Sequence, residues 1–208
     1  MTDTPDEFAA RVRRACDDTG RLPLPEKTMW GVFPFEVEGL RTVVLQPPVL
    51  PEPPRSGEGD RDCERCSDVE RDVVWSDDRW VLTGAGPLGL PFGALLMPRA
   101  HLDLGDLDDA HAADLGRLVV RIERAVSALP HVGRVHVNKW GDGGAHLHVF
   151  FLARPEGFLQ LRGSNLALWE DLLPRVPADR LADDLRTVAG RLAEHGGRVH
   201  VSAETSHP

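Results

Sequence analysis

The stretch Asn138-Lys139-Trp140-Gly141-Asp142-Gly143-Gly144-Ala145-His146-Leu147-His148-Val149-Phe150 decides what kind of protein this is. Read as a strand, Ala145 to Phe150 sends the side chains of residues 146, 148 and 150 to one face, so two imidazoles stand side by side. Asp142-Gly143 suits a hairpin turn. Gly143 and Gly144 also let the backbone come close to an anion, and their N–H groups, with the Asn138 carboxamide, can donate to phosphate oxygens. The two readings are compatible. Lys139 is either a phosphate-neutralising cation or a solvated strand-end charge.

Outward from this stretch, Arg134 to Asn138 and Leu147 to Leu152 read as neighbouring strands separated by the loop 139–145. Upstream, Leu107, Leu115, Leu118, Ile122, Val126 and Leu129 fall at helical spacing, predicting an amphipathic helix over Asp106 to Leu129 with Asp106 as N-cap. Gly93 to Met97 predicts a further strand. Val73 to Trp75 and Trp80 to Leu82 predict a strand pair, turned by Ser76-Asp77-Asp78.

Residues 5–18 read as a short helix ending near Gly20, with Cys16 on its apolar side. Trp30 to Leu45 reads as a hairpin around Glu38-Gly39, and Pro47 to Asp60, rich in Pro, Glu, Gly and Ser, as an exposed loop. The tail carries two predicted helices, Ser164 to Leu173 and Ala178 to His195, the second stopped by Gly196-Gly197. The expected organisation is an N-terminal extension over 1–60, a core over 61–160 and a C-terminal helical extension over 161–208 packed on that core. The fold class is α+β, an antiparallel sheet with one long helix packed on it.

The chain has 208 residues, 41% of them hydrophobic and 27% charged, enough for a real core without covalent staples. A formal net charge of −9 argues against a duplex nucleic-acid surface. No apolar run approaches a membrane span, and Met1 to Glu7 lacks the basic-then-apolar order of a secretion signal, so the expected location is cytoplasmic. Cys63 and Cys66 form a C-x-x-C pair, whose spacing points to metal or redox chemistry, or to a plain surface turn.

Four pieces follow one another in order: Cys63-x-x-Cys66, the strand pair with Asp77-Asp78 in its turn, Pro98-x-x-His101 before a long helix, and Asn138…Gly143-Gly144…His146-x-His148 with Arg154 beyond. In this order, over roughly residues 62 to 155, the chain resembles the histidine-triad (HIT) superfamily, whose signature is His-φ-His-φ-His-φ-φ. Taking His146 as the first histidine puts Arg154 where members of that family often place an Arg.

The resemblance implies a HIT-like antiparallel sheet, and it carries His148 into the position of a nucleophile that attacks the α-phosphate of a nucleotide or nucleotide sugar. It places Cys63, Cys66, His101 and His146 together as ligands of a structural Zn²⁺, as in the zinc-containing branch related to galactose-1-phosphate uridylyltransferases. Asn138, Lys139, Gly143, Gly144 and Arg154 become the substrate-binding set. Many relatives form two-fold dimers, which makes a homodimer the expected assembly.

The sequence departs from the family pattern at three places. Phe150 stands at the third histidine, no serine precedes the pair, and Thr83-Gly84-Ala85 replaces the acidic residue that relatives use on the ribose. Three functions therefore stay open. One is a hydrolase or nucleotidyltransferase working through a His148 intermediate. Another is a catalytically degenerate nucleotide-binding protein or zinc-braced scaffold, and the third is an interaction module with no nucleotide site.

Overall fold

Val73, Val74 and Trp75 open the sheet because β-branched and aromatic side chains suit a pleated, covered surface. In the computed structural model they form β1 (Val73–Ser76), which turns back into β2 (Trp80–Gly84). Asp77 closes the turn: its Oδ1 accepts hydrogen bonds from the backbone N–H groups of Arg79 at 2.8 Å and Trp80 at 2.7 Å. β2 pairs antiparallel with β3 (Phe92–Pro98), one residue longer at each end than Gly93 to Met97. The structure describes residues 5–23, 35, 39, 40, 42, 44–59 and 62–200, so most of the hairpin expected between Trp30 and Leu45 lies outside the described residues.

β4 (Val132–Asn138) and β5 (Val149–Pro155) follow, and β5 docks on β3, giving the sheet order β4-β5-β3-β2-β1-β6 with antiparallel neighbours throughout. The last strand, β6 (Arg198–Val199), was not expected from the sequence. β5 starts two residues later than anticipated. His146, Leu147 and His148 precede it, because Leu147 N–H bonds to the carbonyl of Leu102 instead of entering the ladder.

The helix expected over Asp106 to Leu129 is α3 (Asp109–Ser127), α1 (Pro5–Ala15) and α2 (Glu64–Ser67) being the two earlier ones. Asp108, not Asp106, caps it by accepting from the His111 N–H. Asp106 is engaged one turn earlier, closing a capping box with Asp103 across a 3₁₀ turn. α1 ends earlier than residue 18, where Asp17 Oδ1 takes the N–H groups of Thr19 and Arg21.

Alternation along β3 sorts the two faces. Phe92, Ala94 and Leu96 enter the main core with Leu118, Ile122, Ala125 and Val126 of α3, while Met97 joins Val73 and Val81 in a small cluster on the other face. In the tail, α4 (Leu166–Leu172) follows a 3₁₀ turn at Gly163–Asn165, and α5 (Ala178–Ala193) packs Leu181, Leu185, Val188 and Leu192 into the main core. By contact density the chain forms two units, Met1–Pro53 and Pro54–Pro208; the sheet and all chemistry below belong to the second. Among the described residues no helix is long and apolar enough to cross a membrane.

Candidate functional site

The two cysteines lie one helical turn apart at α2, Cys63 as its N-cap residue and Cys66 inside it, so both thiols reach the same side. His101 follows the end of β3, and His146 follows the glycine loop. Cys66 Sγ stands 3.3 Å from His101 Nδ1 and 3.4 Å from His146 Nδ1, and Cys63 Sγ stands 3.7 Å from His146 Nδ1. All four donor atoms lie within 4.8 Å of one another.

Tautomers make this more than proximity. His146 Nε2 lies 2.8 Å from the Pro98 carbonyl and His101 Nε2 3.0 Å from the Gly57 carbonyl. A carbonyl only accepts, so each ring carries its proton on Nε2 and turns the Nδ1 lone pair toward the thiols. Burial, more than its cationic neighbours, holds His146 below the ordinary histidine value, which keeps it neutral and fit to ligate. Burial, followed by the neighbouring Cys63, pushes the Cys66 thiol up to about 11. Proximity to a cation would reverse that, since a coordinated thiol is deprotonated.

Size agrees as well. Metal bonds of ~2.0–2.3 Å in a tetrahedron give donor-to-donor edges of about 3.3–3.8 Å, and the Cys63–His146, Cys66–His101 and Cys66–His146 distances fall in that range. Cys63, Cys66, His101 and His146 form a site that can hold a metal ion.

A strap seats this site. Ser56 pairs with Gly144 in a parallel bridge, Ser56 N–H donates to the Gly143 carbonyl, and Ala145 N–H donates to the Ser56 carbonyl. Arg55 Nη1 donates to Asp103 Oδ2 at 2.7 Å and to the Gly141 carbonyl at 2.9 Å. Gly57 has φ +77°, and a Cβ there would stand 2.9 Å from His101 Cε1 and 3.0 Å from Cys63 Cβ. The sequence reading missed Arg55, Ser56 and Gly57, which sit in the segment read as an exposed loop, and Asp103. No spacing rule marks a loop residue whose carbonyl orients a ligand.

His148 is outside the metal cluster. Its Nδ1 donates to the His146 carbonyl at 2.9 Å, which leaves the Nε2 lone pair free of the backbone. The ring lines an open cavity of about 360 Å³ together with His146, Ser56, Gly143, Gly144, Arg65 and Arg71. The cavity therefore brings the glycine loop, the metal-site imidazole and the second imidazole onto one surface. Phe150 stands next to His148, ring centroids 5.4 Å apart and nearly perpendicular. Asn138 is the cross-strand partner of Phe150, so its carboxamide lies on that same face, without a side-chain hydrogen bond among the described residues.

Two expected substrate residues are placed elsewhere. Lys139 Nζ is 3.3 Å from Asp103 Oδ1, an ion pair behind the strap. Asp103 is pushed up by burial but held below the usual carboxylate range by Arg55, the Leu104 N–H and Lys139. Arg154 lines a separate cavity of about 520 Å³ with Gly133, His136 and Arg162, and donates to the carbonyls of Pro155 and Phe158. At ~3.3 Å per residue the extended chain carries it roughly 20 Å from His148. Arg65, between the two cysteines, lines the His148 cavity and donates to the Val69 and Arg71 carbonyls; the sequence reading did not single it out.

No protein-family model matches the sequence, and no curated protein matches it. Solved structures do. A zinc-bound histidine triad family protein from Mycobacterium smegmatis is 20% identical over 62% of this chain and 92% of its own, with a TM-score of 0.46. A hypothetical histidine triad nucleotide-binding protein from Sulfolobus tokodaii is 16% identical over 64% and 93%, with a TM-score of 0.46. A HIT family hydrolase from Legionella pneumophila is 17% identical over 50% and 99%, with a TM-score of 0.40. The chain is similar to histidine triad proteins.

Proposed function

We propose that the protein is a HIT-like nucleotide hydrolase or nucleotidyltransferase in which a Zn²⁺ ion held by Cys63, Cys66, His101 and His146 braces the site and His148 meets the α-phosphate. The observation that carries this reading is the divided use of two neighbouring imidazoles. His146 aims Nδ1 into the metal cluster, while His148 has its Nδ1 tied to the His146 carbonyl and its Nε2 lone pair free. With four protein ligands such an ion would have no open position and would supply rigidity. His146 would then be held in place, and with it the carbonyl that accepts from His148 Nδ1.

The chemistry follows from that arrangement. His148 Nε2 attacks phosphorus, forming an N–P bond while the bond from phosphorus to the leaving oxygen breaks. The leaving oxygen keeps the electron pair and takes a proton from water, because Phe150 has none to give. A water or an acceptor hydroxyl then attacks phosphorus and loses its proton to solvent, and the N–P electron pair returns to Nε2. Gly143 and Gly144 line the His148 cavity and offer N–H groups to a developing phosphate charge, and Asn138, paired across from Phe150, adds its carboxamide on that face; Arg65, bonded to the Val69 and Arg71 carbonyls, and Arg71, paired with Glu64, add positive charge at the cavity wall. The substrate class is a nucleotide or nucleotide sugar.

Phe150 favours a second reading, a protein that binds the nucleotide and does not turn it over, since an apolar ring occupies the place of a donor to the leaving group. Incubation with α-³²P-labelled nucleotides separates the two. The enzyme reading expects acid-labile, alkali-stable label on the wild-type protein and none on His148→Ala. Label that persists in the variant overturns the nucleophile assignment, and calorimetric binding without any label leaves only the binding protein.

A further inference from the structure

The cavity of about 520 Å³ at the far end of β5 takes no part in the phosphoryl chemistry, yet it contains a charge that the fold leaves unbalanced. Arg154, which lines it, is only 7% exposed. Its Nη1 donates to the carbonyls of Pro155 and Phe158, which are neutral, and no carboxylate pairs with it among the described residues. Its Nε and Nη2 make no hydrogen bond among those residues. A guanidinium taken out of water without a counter-charge is unfavourable, and an anion in the cavity would reverse that.

The neighbours sharpen the imbalance. Arg134 of β4 is the direct cross-strand partner of Arg154, and like charges placed opposite one another repel. Gly133 lies where the β4–β5 register shifts, and a Cβ there would stand 2.8 Å from Arg154 Nη2, so the missing side chain makes room for the guanidinium. His136, two residues along β4 from Arg134, projects to the same face and lines the same cavity. Burial, and then the Arg154 charge, hold it below the ordinary histidine value, so it is uncharged near neutral pH. Arg162 completes the wall and has no partner among the described residues. Three guanidiniums against the single carboxylate of Glu156 leave two positive charges around this space, in a chain whose formal net charge is −9.

We infer that this cavity binds a phosphate dianion, free or as a phosphomonoester, held between Arg134, Arg154 and Arg162. Guanidinium forks match phosphate oxygens two at a time. Two surplus charges call for a dianion, since a carboxylate would balance only one of them. The site is independent of the proposed function: it lies roughly 20 Å along β5 from His148 and shares no lining residue with the His148 cavity. Val132 and Leu159 add apolar surface on which the carbon part of an ester would rest.

NMR of the labelled full-length protein tests this at slightly alkaline pH, where phosphate is a dianion. Inorganic phosphate, glycerol 3-phosphate and acetate are titrated in turn, with sodium chloride holding the ionic strength constant. The His136 ring and the Arg154 Nε–H report on this cavity, and the Gly143 and Gly144 amides report separately on the cavity of His148. The expected result is a saturable shift of the His136 and Arg154 signals with phosphate, weakened tenfold or more in Arg134→Gln and in Arg162→Gln, both at exposed positions where the fold is not at risk. Tighter binding of glycerol 3-phosphate identifies a phosphomonoester as the ligand, and equal or weaker binding identifies free phosphate. Shifts no larger than those given by chloride, or equal affinity in wild type and both variants, would overturn the site. Acetate binding as tightly as phosphate would overturn the dianion assignment.

Discussion

Cys66 and Gly57 show how much one residue decides here. Replacing Cys66 with Ser removes a soft donor from a set in which each atom lies within 4.8 Å of the others, so metal content should fall from about one equivalent to a small fraction. Elemental analysis of wild type and Cys66→Ser checks this. Gly57→Ala acts by a different route. The added Cβ meets His101 Cε1 at 2.9 Å, and φ is +77°, so strain of about 1–3 kcal/mol is expected. Affinity for Zn²⁺ should fall on the order of tenfold or more as the Gly57 carbonyl leaves His101 Nε2. Denaturant titration and a competitive chelator assay read the two effects separately. The C-x-x-C pair was legible from its spacing as a metal or redox candidate, whereas His101 and His146 joined it only through the family resemblance, because donors from separate elements share no spacing rule. Gly57 was not legible, because its role depends on a loop laid across residues more than 80 positions away, at Gly143.

Elements were legible where a period ran long enough. The stripe through Leu118, Ile122 and Val126 marked α3, and the alternation around Leu96 marked β3, since each reports a face buried against the rest of the core. Ile122 is fully buried there. Ile122→Ala should cost about 2–5 kcal/mol, measurable as a lowered midpoint in urea with no change in metal stoichiometry. Ends were harder to read. Asp106 and Asp108 both suit an N-cap, and only the capping box of Asp103 with Asp106 leaves α3 to Asp108. β6 escaped notice because two residues carry no period, yet Gly197 betrays it in retrospect. At φ +79°, its absent Cβ lets Trp75 and the Ser76 carbonyl approach within 2.6 Å of where that Cβ would be. Gly197→Val should therefore detach β6 and break the Trp75 Nε1 bond to the Gly196 carbonyl, seen as faster amide exchange along β1.

At the scale of the molecule, function was legible only through the order of four short motifs, and the structure redistributes their members. Arg154 serves a separate cavity and Lys139 an internal ion pair, because distance along β5 and the pull of Asp103 outweigh proximity in sequence. The same redistribution sets a pH response. Burial, and then Arg154, hold His136 below its ordinary value, as burial holds His146. Between its folded pKa and the unfolded value of about 6.5, each binds more protons in the unfolded chain. Stability is then full above that unfolded value and declines as pH falls through the window, by at most about 1.4 kcal/mol per pH unit for each group. Asp184, raised by burial, works the other way at lower pH. Thermal unfolding of the metal-free protein from pH 8 to pH 5 should show a falling midpoint, and a flat profile would mean that neither imidazole is held as described.

In the proposed reading two adjacent imidazoles do different work. Metal analysis of His146→Ala and His148→Ala, prepared side by side, tests that division most directly. His148→Ala should keep about one equivalent of zinc and His146→Ala should lose it; equal metal content in the two variants, whether retained or lost, would contradict the assignment of one ring to the ion and the other to phosphorus.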